Sequence, residues 1–99
     1  MPYVIMFHDD PDVLERKREL RAVHLEYVKS HAPRIIASGG LFPDDDDFPT
    51  GGLIILDSEV RQDAVDYIEN DPFFLNGIFT KYTIERWRKF IFDHKPTSS

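Results

Sequence analysis

The sequence predicts an α+β domain in which six elements follow one another as strand, helix, strand, strand, helix, strand. Short runs of β-forming residues alternate with longer stretches whose apolar positions recur every three to four residues. Pro, Gly or Asp stands near each change of period. Size points the same way: 99 residues suffice for one core and not for two. One domain over residues 1–99 is expected, with a structured core over about 3–92 and a flexible tail over 93–99.

Tyr3 to His8 is rich in β-formers and ends at Asp9, Asp10 and Pro11, which predicts a buried strand. Asp10 or Asp12 can cap the helix that follows. With Asp10 as cap, Pro11 takes the first helical position, where its missing N–H is harmless. To about Ala32 the pattern is helical: Leu20, His24, Tyr27, Val28 and His31 share one face, Glu15, Lys17, Glu26 and Lys29 are expected towards solvent, and Pro33 ends the run. Arg34 to Phe42 predicts a second strand, in which Gly39 and Gly40 allow a bulge, a positive φ or close approach to the backbone.

Pro43 to Thr50 is expected to be an exposed, mobile loop, and Gly51 to Asp57 holds a third strand. Ser58 is the expected cap of a second helix with Val60, Ala64, Tyr67, Ile68 and Asp71 advancing along its inner face. Asp71-Pro72 should interrupt it, and Asn76-Gly77 should close an aromatic turn containing Phe73 and Phe74. From Ile78 to about Phe92 a final strand is expected, with His94 to Ser99 frayed. This order is the split βαβ, or ferredoxin-like, pattern. Two helices cover only one face of a four-stranded sheet, and four strands rich in Ile, Leu, Tyr and Phe predict that the other face meets a second subunit in a homodimer.

Composition narrows the function classes. There are 12 Lys and Arg against 18 Asp and Glu, a net charge of −6, which argues against nucleic acid as a partner. The absence of cysteine removes disulfides, thiolate metal sites and a Cys nucleophile. No apolar run has the length of a membrane span and the N-terminus lacks the marks of a secretory signal, so no membrane partner and a cytoplasmic location are expected. His24 and His31 lack the HExxH arrangement, and Asp44 to Asp47 lack calcium-loop spacing, so no metal site is expected.

His24 is the most informative position because it falls on the inward stripe of the first helix between Leu20 and Val28. An imidazole there either satisfies itself in the core or works as a general acid or base, for which an ordinary pKa of ~6.5 is well placed. Asp71 reaches the sheet side of the second helix, and a buried carboxylate needs a partner. It can cap the turn through Phe73 with one oxygen and orient the imidazole with the other.

At this pair the chain resembles the YCII-related (YciI-like) family, from Tyr3 to about Phe92. The resemblance is carried by YVIMFHD, by RAVHL with Arg21 and His24, by RIIASGGL, by ENDPFF with Asp71 and Pro72, and by the closing strand. It implies a ferredoxin-like dimer whose sheets pack as an α+β barrel, with an active site using His24 and Asp71. Two features depart from the family pattern: Gly39-Gly40 stands where Gly-Pro is usual, and Asp44 to Asp47 form an insertion-like loop. Arg21, one turn before His24, is a candidate for holding an anionic substrate, with Ser38 and Gly39 as further candidate substrate-binding residues.

The leading expectation is a small cofactor-independent enzyme of lyase or isomerase type, moving a proton on a small organic molecule. Here His24 is the acid or base and Asp71 sets its tautomer. The alternative is a non-catalytic dimeric module that binds a ligand or protein, in which the pair only satisfies itself. A pocket open at His24 favours the enzyme, and a sealed pair favours the module.

Overall fold

The computed structural model describes residues 1–98. Its elements are β1 (Tyr3–His8), α1 (Leu14–Ser30), a 3-10 turn (Ala32–Arg34), β2 (Ile35–Leu41), β3 (Gly51–Leu56), α2 (Arg61–Glu69), α3 (Pro72–Leu75), β4 (Tyr82–Arg86), β5 (Ile91–Phe92) and β6 (Lys95–Pro96). The four-stranded sheet has the order β2-β3-β1-β4, every neighbouring pair antiparallel, which is the ferredoxin-like arrangement. Period-2 alternation explains its faces: Tyr3, Ile5, Phe7, Ile54, Leu56 and Ile84 point into the core. Val4, Met6, Leu53 and Ile55 are cross-strand neighbours on the opposite face.

The core between sheet and helices is completed by Ala64, Tyr67, Ile68, Phe73, Ile78 and Phe79. Full burial of an Ile, Leu or Phe contributes about 1.5–3 kcal/mol, so these side chains carry the domain. Helix α1 adds little to that account. Its buried residue is Lys17, and Leu20 and Tyr27 are only partly buried against the core.

Several local expectations need correction. Helix α1 starts at Leu14 after Val13, with no side-chain cap, because Asp10 is already engaged elsewhere. The main-chain N–H groups of Asp9 and Asp10 donate to Thr50 and Ile78 at 2.8 Å each, and the Asp10 carboxylate accepts from the Thr80 hydroxyl at 2.9 Å. Asp12 then turns the chain with a left-handed φ of 61°. Ser58 bonds two residues ahead of the cap position, accepting from the Val60 N–H at 3.0 Å and donating to Asp63 at 2.6 Å, so α2 begins only at Arg61 and Val60 is exposed.

Gly39 and Gly40 lie inside β2 without positive φ, and the register shift falls earlier, between Ile35 and Ala37. Close approach is the relevant property at Gly40, where a Cβ would stand 2.9 Å from Pro49 Cβ. The final strand is shorter than expected: Ile78 and Phe79 are fully buried but irregular, and β4 begins at Tyr82.

The segment expected to fray instead makes a two-stranded hairpin, β5-β6, turned by Asp93 and His94 with φ of 51° and 67°. Two consecutive left-handed residues match the twist of a tight hairpin, and Thr97 extends the pairing to Phe90 at 2.8 Å. Ser99 lies outside the described residues. No described helix is long and apolar enough to cross a membrane.

Candidate functional site

Asp71 sits where α2 ends and α3 begins. Its extended backbone and the Pro72 that follows suit the cap of a new helix, and its Oδ1 accepts from the Phe73 N–H at 2.8 Å. The same oxygen is 2.9 Å from His24 Nδ1 on α1. The expected division of labour, one oxygen for the cap and one for the imidazole, is therefore replaced by a single oxygen that serves both. Oδ2 is buried with no hydrogen-bond partner among the described residues.

The Asp71 side chain is 1% exposed and that of His24 17%, so the carboxylate is sealed while the ring reaches the surface of a cavity. Phe73 supports the ring from α3, stacked at 3.9 Å between centroids and 8° between planes. An ionised carboxylate only accepts, so against one Nδ1 is the donor, and a neutral ring then keeps its lone pair on Nε2.

The cavity lies between α1, the glycine-rich ends of β2 and β3, and the loop joining them, and measures about 260 Å³. That is close to the lower end of ligand pockets, roughly 300–1,000 Å³, and fits a single ring better than a nucleotide. All four candidates besides Asp71 line it: His24, Arg21, Ser38 and Gly39. Arg21 and Ser38 are exposed at its rim, and Gly39 contributes main chain only. Asp71 stands behind His24 and does not line it.

Sequence reasoning missed Lys17, expected in solvent. It is 2% exposed, lines the cavity, and donates to Asp9 Oδ2 and to the Pro49 carbonyl at 2.6 Å each. The available signal was its position seven residues before His24, two turns along the same stripe. Phe73 was missed as the support of the imidazole because an aromatic turn has no periodicity to read.

The loop over residues 43–50 is likewise less free than expected. Asp44 to Asp47 are exposed, but Phe48 and Pro49 are half-buried, with the Arg18 guanidinium 5.1 Å from the Phe48 ring. Among the described residues no three His, Cys, Asp or Glu gather to hold a metal.

Two tyrosines complete the surroundings. Burial raises the Tyr27 hydroxyl to about 12, with the charge of Asp71 adding and Arg34 opposing. Tyr67 moves the same way, by burial first and Asp71 second. The Tyr27 hydroxyl donates to the Tyr67 carbonyl at 2.7 Å, tying α1 to α2 just beyond the pair.

The YCII-related domain matches residues 1–88. The chain belongs to the YCII-related family. The family read from RAVHL and ENDPFF is thus the one found. A protein of uncharacterised function from Haemophilus influenzae is 29% identical to this YCII-related chain over 96 residues, covering 90% of it and 98% of the relative. The solved structure of 5-chloro-2-hydroxyhydroquinone dehydrochlorinase (TftG) from Burkholderia phenoliruptrix, in complex with 2,5-dihydroxybenzoquinone, superposes with a TM-score of 0.79 at 29% identity. That similarity covers 89% of this chain and 94% of the other.

The tyrosines give a prediction with a definite sign. A hydroxyl whose folded pKa is raised favours the protonated state of the native protein, so its contribution is complete below the unfolded value near 10 and fades as pH rises through about 12. Tyrosinate absorbance should show Tyr27 and Tyr67 titrating last, with alkaline unfolding setting in across that interval. Titration of both at an ordinary pH in the folded protein would contradict their burial.

Proposed function

We propose that this protein is a small cofactor-independent enzyme, of lyase or isomerase type, that moves a proton on a small oxygenated ring. The observation that carries the reading is the His24–Asp71 contact of 2.9 Å, with its sealed carboxylate and its imidazole edge in an open cavity. A pair that only satisfied itself would have no need of that opening. His24 Nε2 takes a proton from a substrate hydroxyl and either returns it to the ring, in an isomerisation, or passes it to water as the leaving group departs, so that chloride is lost as HCl. Asp71 holds the Nδ1–H tautomer and stabilises the imidazolium formed in between. Arg21, Ser38 and the Gly39 backbone bind the substrate at the rim.

The fit of a single-ring molecule to the cavity supports this substrate class, as does the likeness to a dehydrochlorinase of a hydroxylated ring. We further propose a cytoplasmic homodimer without nucleic-acid or membrane partners, its sheets meeting through Val4, Met6, Leu53 and Ile55 as an α+β barrel.

Two measurements test these statements. Chloride release from 5-chloro-2-hydroxyhydroquinone should be catalysed by the protein and fall by about 10²–10⁴-fold in His24→Asn, with the thermal transition little changed. In Asp71→Asn the rate should fall and its pH profile should also shift, which a purely structural loss would not produce. Full turnover by His24→Asn would contradict the assignment. Light scattering at micromolar concentration should report about twice the chain mass, since several hundred Å² of apolar face at roughly 25 cal/mol per Å² favours pairing. A monomer at all concentrations removes the barrel.

A further inference from the structure

Lys17 is a buried charged group that the proton transfer leaves unused. Taking an ammonium out of water costs several kcal/mol even after relaxation, and one neighbouring carboxylate recovers only part of that. A lysine serving only to tie a loop to a helix is an expensive choice at this position. We propose that Lys17 is the second polar anchor of the cavity, donating a hydrogen bond to an ionised oxygen of a flat ring ligand whose other end meets His24. This rests on the reading of the cavity as a small-ring site.

An ammonium has three N–H donors and no acceptor. Two are taken, by Asp9 Oδ2 and the Pro49 carbonyl, and these two bonds fix the group at the junction of β1, α1 and the loop before β3. The third has no hydrogen-bond partner among the described residues. With the residue 2% exposed and lining the cavity, the outlet for that donor is the cavity itself.

Charge distribution supports an anion there. The chain has 18 acidic residues against 12 basic ones, yet Lys17, Arg21 and His24 line the cavity and no Asp or Glu does. The aromatic rings support a flat ligand in a poorly hydrated setting. Phe48 and Phe73 flank the ammonium at 5.6 and 5.4 Å, and Phe7 and Phe42 add further apolar wall. On α1, seven residues separate Lys17 from His24, a rise of roughly 10 Å along one stripe. The ligand therefore lies along the helix, its anionic oxygen at the Lys17 end and the proton to be moved at the His24 end.

The carboxylate of Asp9 makes the idea testable in two directions. It opposes an incoming anion while holding Lys17 in place, and an asparagine there keeps an acceptor for the ammonium without the charge. Two ligands are titrated by calorimetry at neutral pH: 2,5-dihydroxybenzoquinone, which is ionised, and hydroquinone, which is not. Wild type should prefer the ionised ring. In Lys17→Met its affinity should fall at least tenfold while that for hydroquinone stays within twofold, which also reports an intact cavity. In Asp9→Asn affinity for the ionised ring should rise severalfold.

If Lys17 is only a clasp, both substitutions weaken both ligands alike, and that result overturns the proposal. Retention of the anion preference by Lys17→Met overturns it as well. Failure of wild type to bind either ring overturns the small-ring reading and this inference with it, whereas equal affinity for the two rings overturns the inference alone.

Discussion

A buried carboxylate that must be paired is the constraint around which this molecule is arranged. Asp71 is fully buried, and an ionised group in that position is tolerated only when its neighbours supply hydrogen bonds. One comes from the start of its own helix, the Phe73 N–H, and the other from His24 on α1. The first serves the fold, because the Asp71 carboxylate is the side-chain cap of α3. The second follows from it: once the cap places Oδ1, an imidazole arriving from α1 is aligned by the same oxygen and backed by the Phe73 ring. Fold and candidate site share an atom, so the geometry that the proposed chemistry needs is present before any ligand arrives.

The way α1 docks explains why a cavity exists. An amphipathic helix normally seats a continuous apolar stripe on its sheet and leaves no space beneath. In this helix the inward positions include Lys17, His24 and Tyr27, each held by a polar contact: Asp9 and Pro49, then Asp71, then the Tyr67 carbonyl. Polar anchors act at fixed points and hold the helix off the sheet between them. The strands opposite meet it with glycine, and at Gly52 a Cβ would stand only 2.7 Å from the Phe7 ring. A helix held off at points and a floor of glycine main chain, edged by Phe7 and Ile54, together enclose the space that His24 opens into.

Much of this was legible in the sequence where a residue has one physical reading. The run from Tyr3 to His8 could only be a strand, and Asp71-Pro72 marked both a helix break and a cap. His24 stood out because an imidazole amid an apolar stripe demands a partner. Lys17 was misplaced because a lysine on a helix usually faces water, and its partners, Asp9 and Pro49, come from segments whose proximity only tertiary structure reveals. Local preference makes Asp10 and Ser58 cap candidates, and both are claimed by other donors or acceptors. The hairpin at the C-terminus escaped because Asp93-His94 is an uncommon pair for two left-handed residues, a conformation usually signalled by Asn-Gly or Asp-Gly.

All of the proposed chemistry depends on which nitrogen of His24 carries the proton. Nitrogen-15 NMR of histidine-labelled protein reads this directly, with His24→Asn identifying the resonance. Neutral His24 should be protonated at Nδ1 and bare at Nε2, and Asp71→Asn should shift the population towards the opposite tautomer. A wild-type ring protonated at Nε2 when neutral would leave no base facing the cavity and would contradict the account.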